Sequence, residues 1–264
     1  MNFVHHAYRA LFARPYFQRF NTVLFHLSLH GLGILNYRND KDSGEHHFVT
    51  RELPRLLATK TPVCFDVGAN VGGFSLLLLS TFPAATIHAF EPHPANFARL
   101  LSLARERSGL TCHHLGVGDS AGVVTLYDRA DLQGSTHASL YEEVISKVHK
   151  KEVATVDVNL ITLDEIASRE DIDRIDFLKV DTEGHELAVL RGAKGLIEQQ
   201  KIRCIQFEFN EMNVTSRAFL KDFRELLRDY SLFRLLPKGM IPLGDSALQT
   251  ELFAFQNIVA IQNR

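Results

Sequence analysis

Residues 62–75 read Pro62-Val63-Cys64-Phe65-Asp66-Val67-Gly68-Ala69-Asn70-Val71-Gly72-Gly73-Phe74-Ser75. The run that ends at Phe65 is short and apolar, which is typical of a buried strand. The glycines that follow permit a tight turn and a close approach of the backbone to a ligand. A helix that opens at Phe74 would direct free backbone amides toward that ligand. The stretch therefore predicts a strand, a ligand-binding turn and a helix.

On both sides of this stretch, short apolar runs alternate with helical patterns. This alternation predicts an α/β, Rossmann-like fold with a mostly parallel sheet covered by helices on both faces. The last run has no helix after it, so we expect an antiparallel final strand. Two β-runs flank the polar segment 133–139 and suggest an insertion over the sheet edge. The predicted strands are 62–65, 86–90, 111–117, 123–127, 153–160, 175–180, 202–207, 232–236 and 252–261.

Acidic residues stand where the first strands end, which is where such sheets bind ligands. A fixed carboxylate at Asp66 would repel a pyrophosphate but suits a cationic group, such as the amino group or sulfonium of S-adenosylmethionine. The glycine spacing of dinucleotide-binding turns is absent. Glu91 lies 19 positions beyond Gly72, a separation at which an acid can hold ribose hydroxyls. Asp119 could bond the adenine amino group or simply form a turn.

These positions together predict a site for S-adenosylmethionine. A single glycine turn is weak evidence, because it also serves simple strand-to-helix packing. The turn combined with two strand-end carboxylates is far more specific. The predicted cofactor-binding residues are Asp66, Gly68, Ala69, Asn70, Gly72, Phe74, Ser75, Glu91, Pro92 and Asp119.

The chain resembles the FkbM family of S-adenosylmethionine-dependent O-methyltransferases from about residue 44 to 209. The resemblance is carried by residues 65–72 with Ala89-Phe90-Glu91-Pro92, and by residues 161–165, 175–186 and 189–193. It implies a class I methyltransferase fold, a seven-stranded sheet with an antiparallel last strand. It also implies methylation of a hydroxyl group on a sugar of a polysaccharide, glycolipid or lipopolysaccharide, or on a macrolide natural product.

The predicted strand 175–180 would deliver Asp181-Thr182-Glu183-Gly184-His185-Glu186 to the reaction centre. A hydroxyl is a poor nucleophile until its proton is removed, so methyl transfer needs a base or a metal. His185 suits a general base because its pKa needs little tuning, although it could instead begin a helix and bond the backbone. Asp181 could face the transferring methyl, whereas Glu183 and Glu186 could be first-turn acids stabilised by the helix dipole.

The predicted strand 202–207 ends in Phe207-Glu208-Phe209-Asn210, where Glu208 could orient the acceptor. With Asp181 and Asn210 it could also form an oxygen-ligand site for a divalent cation. A carboxylate pair works without metal as well, so the metal stays unknown. The acceptor loop could include Ser135, Thr136, His137 and Ser139, or this loop could be merely solvated. The predicted catalytic residues are Asp181, Glu183, His185 and Glu208.

Composition constrains location and partners. The net charge of −2 gives no general attraction to nucleic acid. Three cysteines without metal-ligand spacing fit free thiols in a reducing, cytoplasmic environment. The stretch 22–35 is too short to span a bilayer comfortably, and we interpret it as a buried or interface helix. We divide the chain into a helical segment, 1–50, that forms a lid or a homodimer interface or makes reversible membrane contact, and a methyltransferase domain, 51–264.

Two other functions compete with the methyltransferase. A nicotinamide-dependent oxidoreductase could use a similar sheet, but Asp66 and the missing glycine spacing oppose it. A non-catalytic cofactor-binding scaffold would not need the run from Asp181 to Glu186.

Overall fold

The apolar runs form strands close to the predicted positions. The computed structural model describes residues 2–105, 107–132, 134–135 and 138–263. Within these residues the strands are β1 (Val63–Val67), β2 (Thr86–Phe90), β3 (Leu110–His113), β4 (Gly116–Val117), β5 (Gly122–Arg129), β6 (Val153–Ile161), β7 (Ile175–Val180), β8 (Ile202–Phe209), β9 (Tyr230–Leu236), β10 (Gly239–Pro242) and β11 (Gln256–Gln262).

The main sheet has the order β10-β9-β11-β8-β7-β1-β2-β3. β1 lies between β2 and β7, parallel to both, and β11 runs antiparallel to β8 and β9. Without β10, this is a seven-stranded sheet with an antiparallel last strand, so the predicted class I methyltransferase fold is confirmed. β10 adds an eighth strand that we did not predict, antiparallel to β9 after a tight turn.

The helices are α1 (Asn2–Phe12), α2 (Gln18–Gly31), α3 (Asp40–Ser43), α4 (Glu45–His47), α5 (Leu53–Leu57), α6 (Gly73–Thr81), α7 (Pro94–Ala104), α8 (Leu163–Arg169), α9 (Glu186–Arg191), α10 (Lys194–Glu198), α11 (Met212–Ser216), α12 (Leu220–Leu226) and α13 (Ala247–Thr250). The single helix predicted over 186–197 is broken into α9 and α10. The break lies at Gly192, where a Cβ would come within 2.0 Å of the Gly118 carbonyl oxygen.

The predicted insertion is a small second sheet in which β5 pairs antiparallel with β6, and β4 pairs with β6. Leu126 of β5 and Leu160 of β6 both face the end of the main sheet and line a cavity there. The insertion therefore covers the edge at which the parallel strands end.

Two apolar layers enclose the main sheet. Phe65 and Val67 of β1 belong to the layer that contains α8, α9 and α12, whereas Cys64 belongs to the opposite layer with α5, α6 and α7. Both faces of β1 are buried, as expected of a parallel strand. The second layer includes Phe48 and Val49, so the division of the chain at residue 50, which stays a prediction, passes through a segment packed on the sheet.

The N-terminal segment is helical, as predicted. Its long helices are mostly exposed, however, and Leu29 is the buried residue of α2. A burial of this stretch in the protein interior, one of our sequence interpretations, is therefore wrong. None of the helices among the described residues is long and apolar enough to cross a membrane.

Candidate active site

A cavity of about 300 Å³ lies at the carboxyl ends of β1, β2 and β7, beneath the insertion. This volume is at the lower end of what small-ligand sites enclose. The walls bring together residues that the sequence predicted from separate strand ends, namely Gly68, Asn70, Glu91, Pro92, Asp181, Glu183, His185 and Glu208. Cofactor and catalytic candidates therefore share one cavity.

The turn after β1 needs glycine for a steric reason. Gly68 has a φ of +83°, and a Cβ on it would lie 1.8 Å from the carbonyl oxygen of Asp181. The absence of a side chain thus lets the first turn pack directly against the loop that follows β7. The turn after β1 and the loop after β7 are fixed against each other by this contact.

Glu91 ties the β1 turn to the β2 turn. One of its carboxylate oxygens accepts the Asn70 backbone amide at 2.8 Å, and the other accepts the His93 amide at 2.8 Å. The carboxylate lines the cavity but is 94% buried, and burial raises the pKa of Glu91 to about 7. The side chain is placed to accept further hydrogen bonds from a ligand in the cavity.

Asp66 does not reach the cavity, contrary to our expectation that it contacts the cationic group. Residues alternate sides along a strand, so Asp66 points away from the face to which its neighbour Val67 contributes. It is fully buried and accepts a hydrogen bond from Ser75 at 2.6 Å, and burial raises its pKa. Asp66 and Ser75 therefore stabilise the start of α6. Neither side chain lines the cavity.

Other predicted cofactor residues also lie outside the cavity wall. Asp119 is exposed and bonds Ser120, so the structure does not bring it to an adenine position. In its place the wall has apolar side chains that the sequence interpretation did not select. The predicted residues behind the wall are Ala69, Gly72, Phe74 and Ser75, and the unpredicted apolar ones in it include Leu115, Val117, Leu126, Leu140 and Leu160.

The loop after β7 is held in place by Glu186. One oxygen of this fully buried carboxylate accepts the amides of Thr182 and Gly184, each at 3.0 Å, and the Thr182 hydroxyl at 3.2 Å. Burial raises the pKa of Glu186 to about 7. Glu183, at the tip of the loop, has a left-handed φ of +53°, and its carbonyl oxygen accepts the Ser139 hydroxyl at 2.8 Å. Glu186 thus shapes the loop rather than entering the cavity.

His185 contacts the insertion. Its Nδ1 lies 3.3 Å from the Tyr141 hydroxyl, a partner 44 positions away in sequence. Burial lowers the pKa of His185, and the nearby Asp119 opposes this only in part, so the imidazole is neutral at pH 7. Its Nε2 is buried next to Gly118 and has no hydrogen-bond partner among the described residues.

Carboxylates surround Lys179 behind the reaction loop. Its Nζ donates to Asp181 at 2.7 Å and lies 4.7 Å from the centre of the Phe74 ring. Burial by itself lowers the pKa of Lys179, but Asp181, Glu45 and Asp66 outweigh it and hold this pKa above its usual value. Lys179 thus holds Asp181 at the cavity wall, within a group of buried acids.

Glu208 belongs to the same acidic group. Burial raises its pKa, and the charges of Asp181, Glu183 and Glu45 raise it further. The Asn210 side-chain amide donates to it at 3.1 Å. The predicted cation site at Asp181, Glu208 and Asn210 does not fit this arrangement, because donors already face both carboxylates. Among the described residues, no group of three or more His, Cys, Asp and Glu could hold a metal ion.

Asp128 of the insertion contacts the turn that follows β2. Its carboxylate accepts the Gly134 amide at 2.7 Å and the Ser135 hydroxyl, and it lies 3.3 Å from His93 Nε2. Ser135 also lines the cavity, and its part in an acceptor loop stays a prediction. Thr136 and His137, the other residues of that prediction, lie outside the described residues, and Ser139 holds Glu183 instead of facing the cavity.

Comparison with known proteins identifies a family. Residues 66–232 match the methyltransferase FkbM domain. Methyltransferase sdnD of Sordaria araneosa is 35% identical over 172 residues, which cover 56% of this chain and 64% of that protein. The 31-O-demethyl-FK506 methyltransferase FkbM of Streptomyces tacrolimicus is 30% identical over 173 residues, which cover 57% and 66%. The hexuronic acid methyltransferase AglP of Haloferax volcanii is 26% identical over 152 residues, which cover 56% and 58%.

A solved structure is also similar. It is the crystal structure of methyltransferase FkbM from Methylobacillus flagellatus, with a TM-score of 0.47 and 16% identity, covering 76% of this chain and 44% of that one. The matched segments thus span less than two thirds of these relatives' lengths. The family match itself covers well over half of the chain, and it contains most of the residues of the cavity. The chain belongs to the FkbM methyltransferase family.

Proposed function

We propose that this methyltransferase uses S-adenosylmethionine to methylate a hydroxyl group of a sugar or a natural product. The observation that carries the proposal is that a single cavity is lined both by Glu91, whose carboxylate could accept ribose hydroxyls, and by the loop that carries Asp181 and His185. The names of two relatives support the acceptor class, since one is a methyltransferase of 31-O-demethyl-FK506 and the other of a hexuronic acid.

The donor set of the cavity fits S-adenosylmethionine. Glu91 is fixed by two amides and is free to accept ribose hydroxyls, while Leu115, Leu126 and Leu160 offer an apolar bed for a base. Asp181, which lines the cavity, suits the amino group and the sulfonium. When bound, S-adenosylmethionine supplies an electrophilic methyl group, and the protein has to position a hydroxyl against it and accept the proton.

We assign proton acceptance to His185. Tyr141 sets the tautomer: if Nδ1 carries the proton and donates to the Tyr141 oxygen, Nε2 has the free lone pair that a base requires. Nε2 is shielded beside Gly118, so the segment that covers it must move for a hydroxyl to reach it. Asp181, whose side chain is 30% exposed, is the alternative acceptor that needs no such movement.

Glu208 and Glu183 then orient the acceptor. Burial raises the pKa of Glu208 and so favours its protonated form, in which the carboxyl group can donate a hydrogen bond to an acceptor oxygen. We retain the cytoplasm as the expected location, because Cys64, Cys112 and Cys204 are all free thiols.

The test is methyl transfer from labelled S-adenosylmethionine to a panel of hydroxyl acceptors, namely uronic acids, glycans and macrolides lacking one O-methyl group. We expect incorporation with at least one acceptor, into a methyl ether that fragmentation in mass spectrometry places on a former hydroxyl oxygen of the acceptor. Incorporation into none of the acceptors, or only into the carboxylate of the uronic acids as an alkali-labile methyl ester, would contradict methylation of a hydroxyl group. Comparing His185→Ala with Asp181→Asn separates the two bases, because only loss of the true base removes the acidic limb of the pH–rate profile.

A further inference from the structure

The two N-terminal helices expose an apolar surface that is not needed by the site. On α1 the side chains of Phe3, Val4 and Leu11 are 85%, 67% and 58% exposed. On α2, Val23, Leu24 and Leu27 are 56%, 37% and 62% exposed, and their spacing places them on one face of the helix. We call these six side chains the N-terminal apolar surface. Exposed apolar clusters of this kind mark interaction sites.

The two helices form a defined unit. Phe12 packs against Phe17 and Phe20, with ring centroids 5.0 and 5.5 Å away, and the Asn21 side chain donates to the Phe12 carbonyl at 3.0 Å. This small aromatic contact fixes the angle between α1 and α2. The six side chains of the N-terminal apolar surface remain exposed beside this contact.

The unit is attached at the end of the sheet that carries the cavity. The Leu35 amide donates to the Phe255 carbonyl at 2.8 Å, just before β11 begins. Gly33 has a φ of +80°, and a Cβ there would lie 2.2 Å from the Leu235 carbonyl oxygen near the end of β9. Because β11 is antiparallel to β8 and β9, it begins where those strands end. The attachment therefore lies at the carboxyl end of the parallel strands, as the cavity does.

Charge distinguishes between possible partners. Residues 1–39 contain Arg9, Arg14, Arg19 and Arg38 but no aspartate or glutamate, whereas the rest of the chain has 25 Lys and Arg against 31 Asp and Glu. A symmetric contact with the same segment of a second copy would bring arginines together without a carboxylate. An anionic lipid headgroup region supplies the missing negative charge and accepts aromatic side chains as well.

We propose that α1 and α2 dock on the surface of an anionic bilayer, with the N-terminal apolar surface toward the acyl chains and the arginines among the headgroups. Peripheral helices of this composition lie in the interface, and their binding adds buried apolar area to electrostatic attraction. Neither helix needs to span the bilayer. The docked protein would have its active-site edge at the membrane.

The experiment is flotation of the purified full chain with vesicles of phosphatidylcholine, alone or with about 30% phosphatidylserine. We expect binding to the anionic vesicles that weakens as salt is raised, and little binding to the neutral ones. Changing Arg9, Arg14 and Arg19 to Gln should weaken binding about fivefold per arginine. Leu24→Asn with Leu27→Asn should weaken it about a hundredfold.

The matched control is Leu248→Asn, since Leu248 is an 84% exposed leucine outside the N-terminal segment. It should bind vesicles like the unchanged protein, and thermal unfolding should show that all variants are folded. Absence of binding to anionic vesicles would overturn the proposal, as would equal binding to both kinds of vesicle. A dimer in sedimentation equilibrium that Leu24→Asn with Leu27→Asn dissociates would assign the surface to a second copy instead.

Discussion

The change of Glu91 to Gln tests the cofactor end of the cavity. The Glu91 carboxylate accepts two backbone amides, from Asn70 and His93, both at 2.8 Å. A glutamine can satisfy only one of them, because its amide nitrogen would face the other N–H as a second donor. The variant therefore loses the negative charge offered to the ribose hydroxyls and also loosens the link between the two turns.

The magnitude follows from these contacts. A hydrogen bond to a charged group contributes about 1.5–3 kcal/mol, so affinity for S-adenosylhomocysteine should fall roughly 10- to 150-fold in Glu91→Gln. A pH dependence accompanies this loss. Because burial raises the pKa of Glu91 to about 7, the carboxylate is mostly protonated at pH 6 and mostly ionised at pH 8. If the ionised form binds, the unchanged protein should bind about tenfold more weakly at pH 6 than at pH 8.

Isothermal titration calorimetry with S-adenosylhomocysteine and with adenosine measures both effects. Adenosine retains the ribose but lacks the amino acid, so any pH dependence that it shows arises from the ribose end. We expect the pH dependence for adenosine to disappear in Glu91→Gln. Unchanged affinity in the variant, or the same pH dependence with and without the carboxylate, would refute the ribose role of Glu91.

The remaining predictions concern the turn and the reaction loop. Gly68→Ala should destabilise the fold by at least about 3 kcal/mol in urea unfolding, because it adds left-handed strain to an overlap with the Asp181 carbonyl. Gly73→Ala, with no atom within 4 Å of the new Cβ, should change stability by less than about 1 kcal/mol; equal losses would contradict the steric explanation. His185→Ala should reduce kcat about 10²–10⁴-fold with nearly unchanged cofactor affinity, and unchanged turnover would remove His185 from the mechanism. Burial raises the folded-state pKa of Glu186 to about 7, so its protonated form stabilises the fold below about pH 4.5 and this contribution is lost as pH rises through 7. Chemical unfolding from pH 5 to 8 should therefore show a loss in the unchanged protein larger by up to about 3 kcal/mol than in Glu186→Gln, and parallel pH profiles would show that its pKa is not raised.

The parts of the site that lie at strand ends could be predicted from the sequence. Glu91 and the run that begins at Asp181 each follow a short apolar strand, and parallel strands bring their carboxyl ends to one edge. The glycine at position 68 carried a local signal as well, because only a residue without a side chain tolerates the turn. Local pattern and fold agree at these positions.

Asp66 shows where a local signal was available but was not used. β1 is buried on both faces, and its residues alternate between them, so a cavity-facing Val67 requires Asp66 to point to the other side. A carboxylate that precedes the glycine turn is therefore a support for α6 through Ser75. Proximity in sequence to the turn had suggested a direct contact with the ligand.

Long-range partners had no local signal at all. Tyr141 reaches His185 across 44 positions, and Glu45 accepts a hydrogen bond from Gln206 across 161 positions at 2.7 Å. Neither pair follows a periodic pattern, since each depends on how the insertion or the N-terminal segment folds back on the sheet. β10 was missed because four residues after a turn make too short a run to show alternation.

The central claim, that the cavity binds S-adenosylmethionine, is tested most directly by thermal unfolding with S-adenosylhomocysteine and, in parallel, with NAD. At a ligand concentration about a hundred times the Kd, binding adds about 2.7 kcal/mol and should raise the Tm by roughly 5–10 °C. We predict this rise with S-adenosylhomocysteine, no rise with NAD, and a smaller rise in Glu91→Gln. A rise with NAD and none with S-adenosylhomocysteine would contradict the assignment of the cavity.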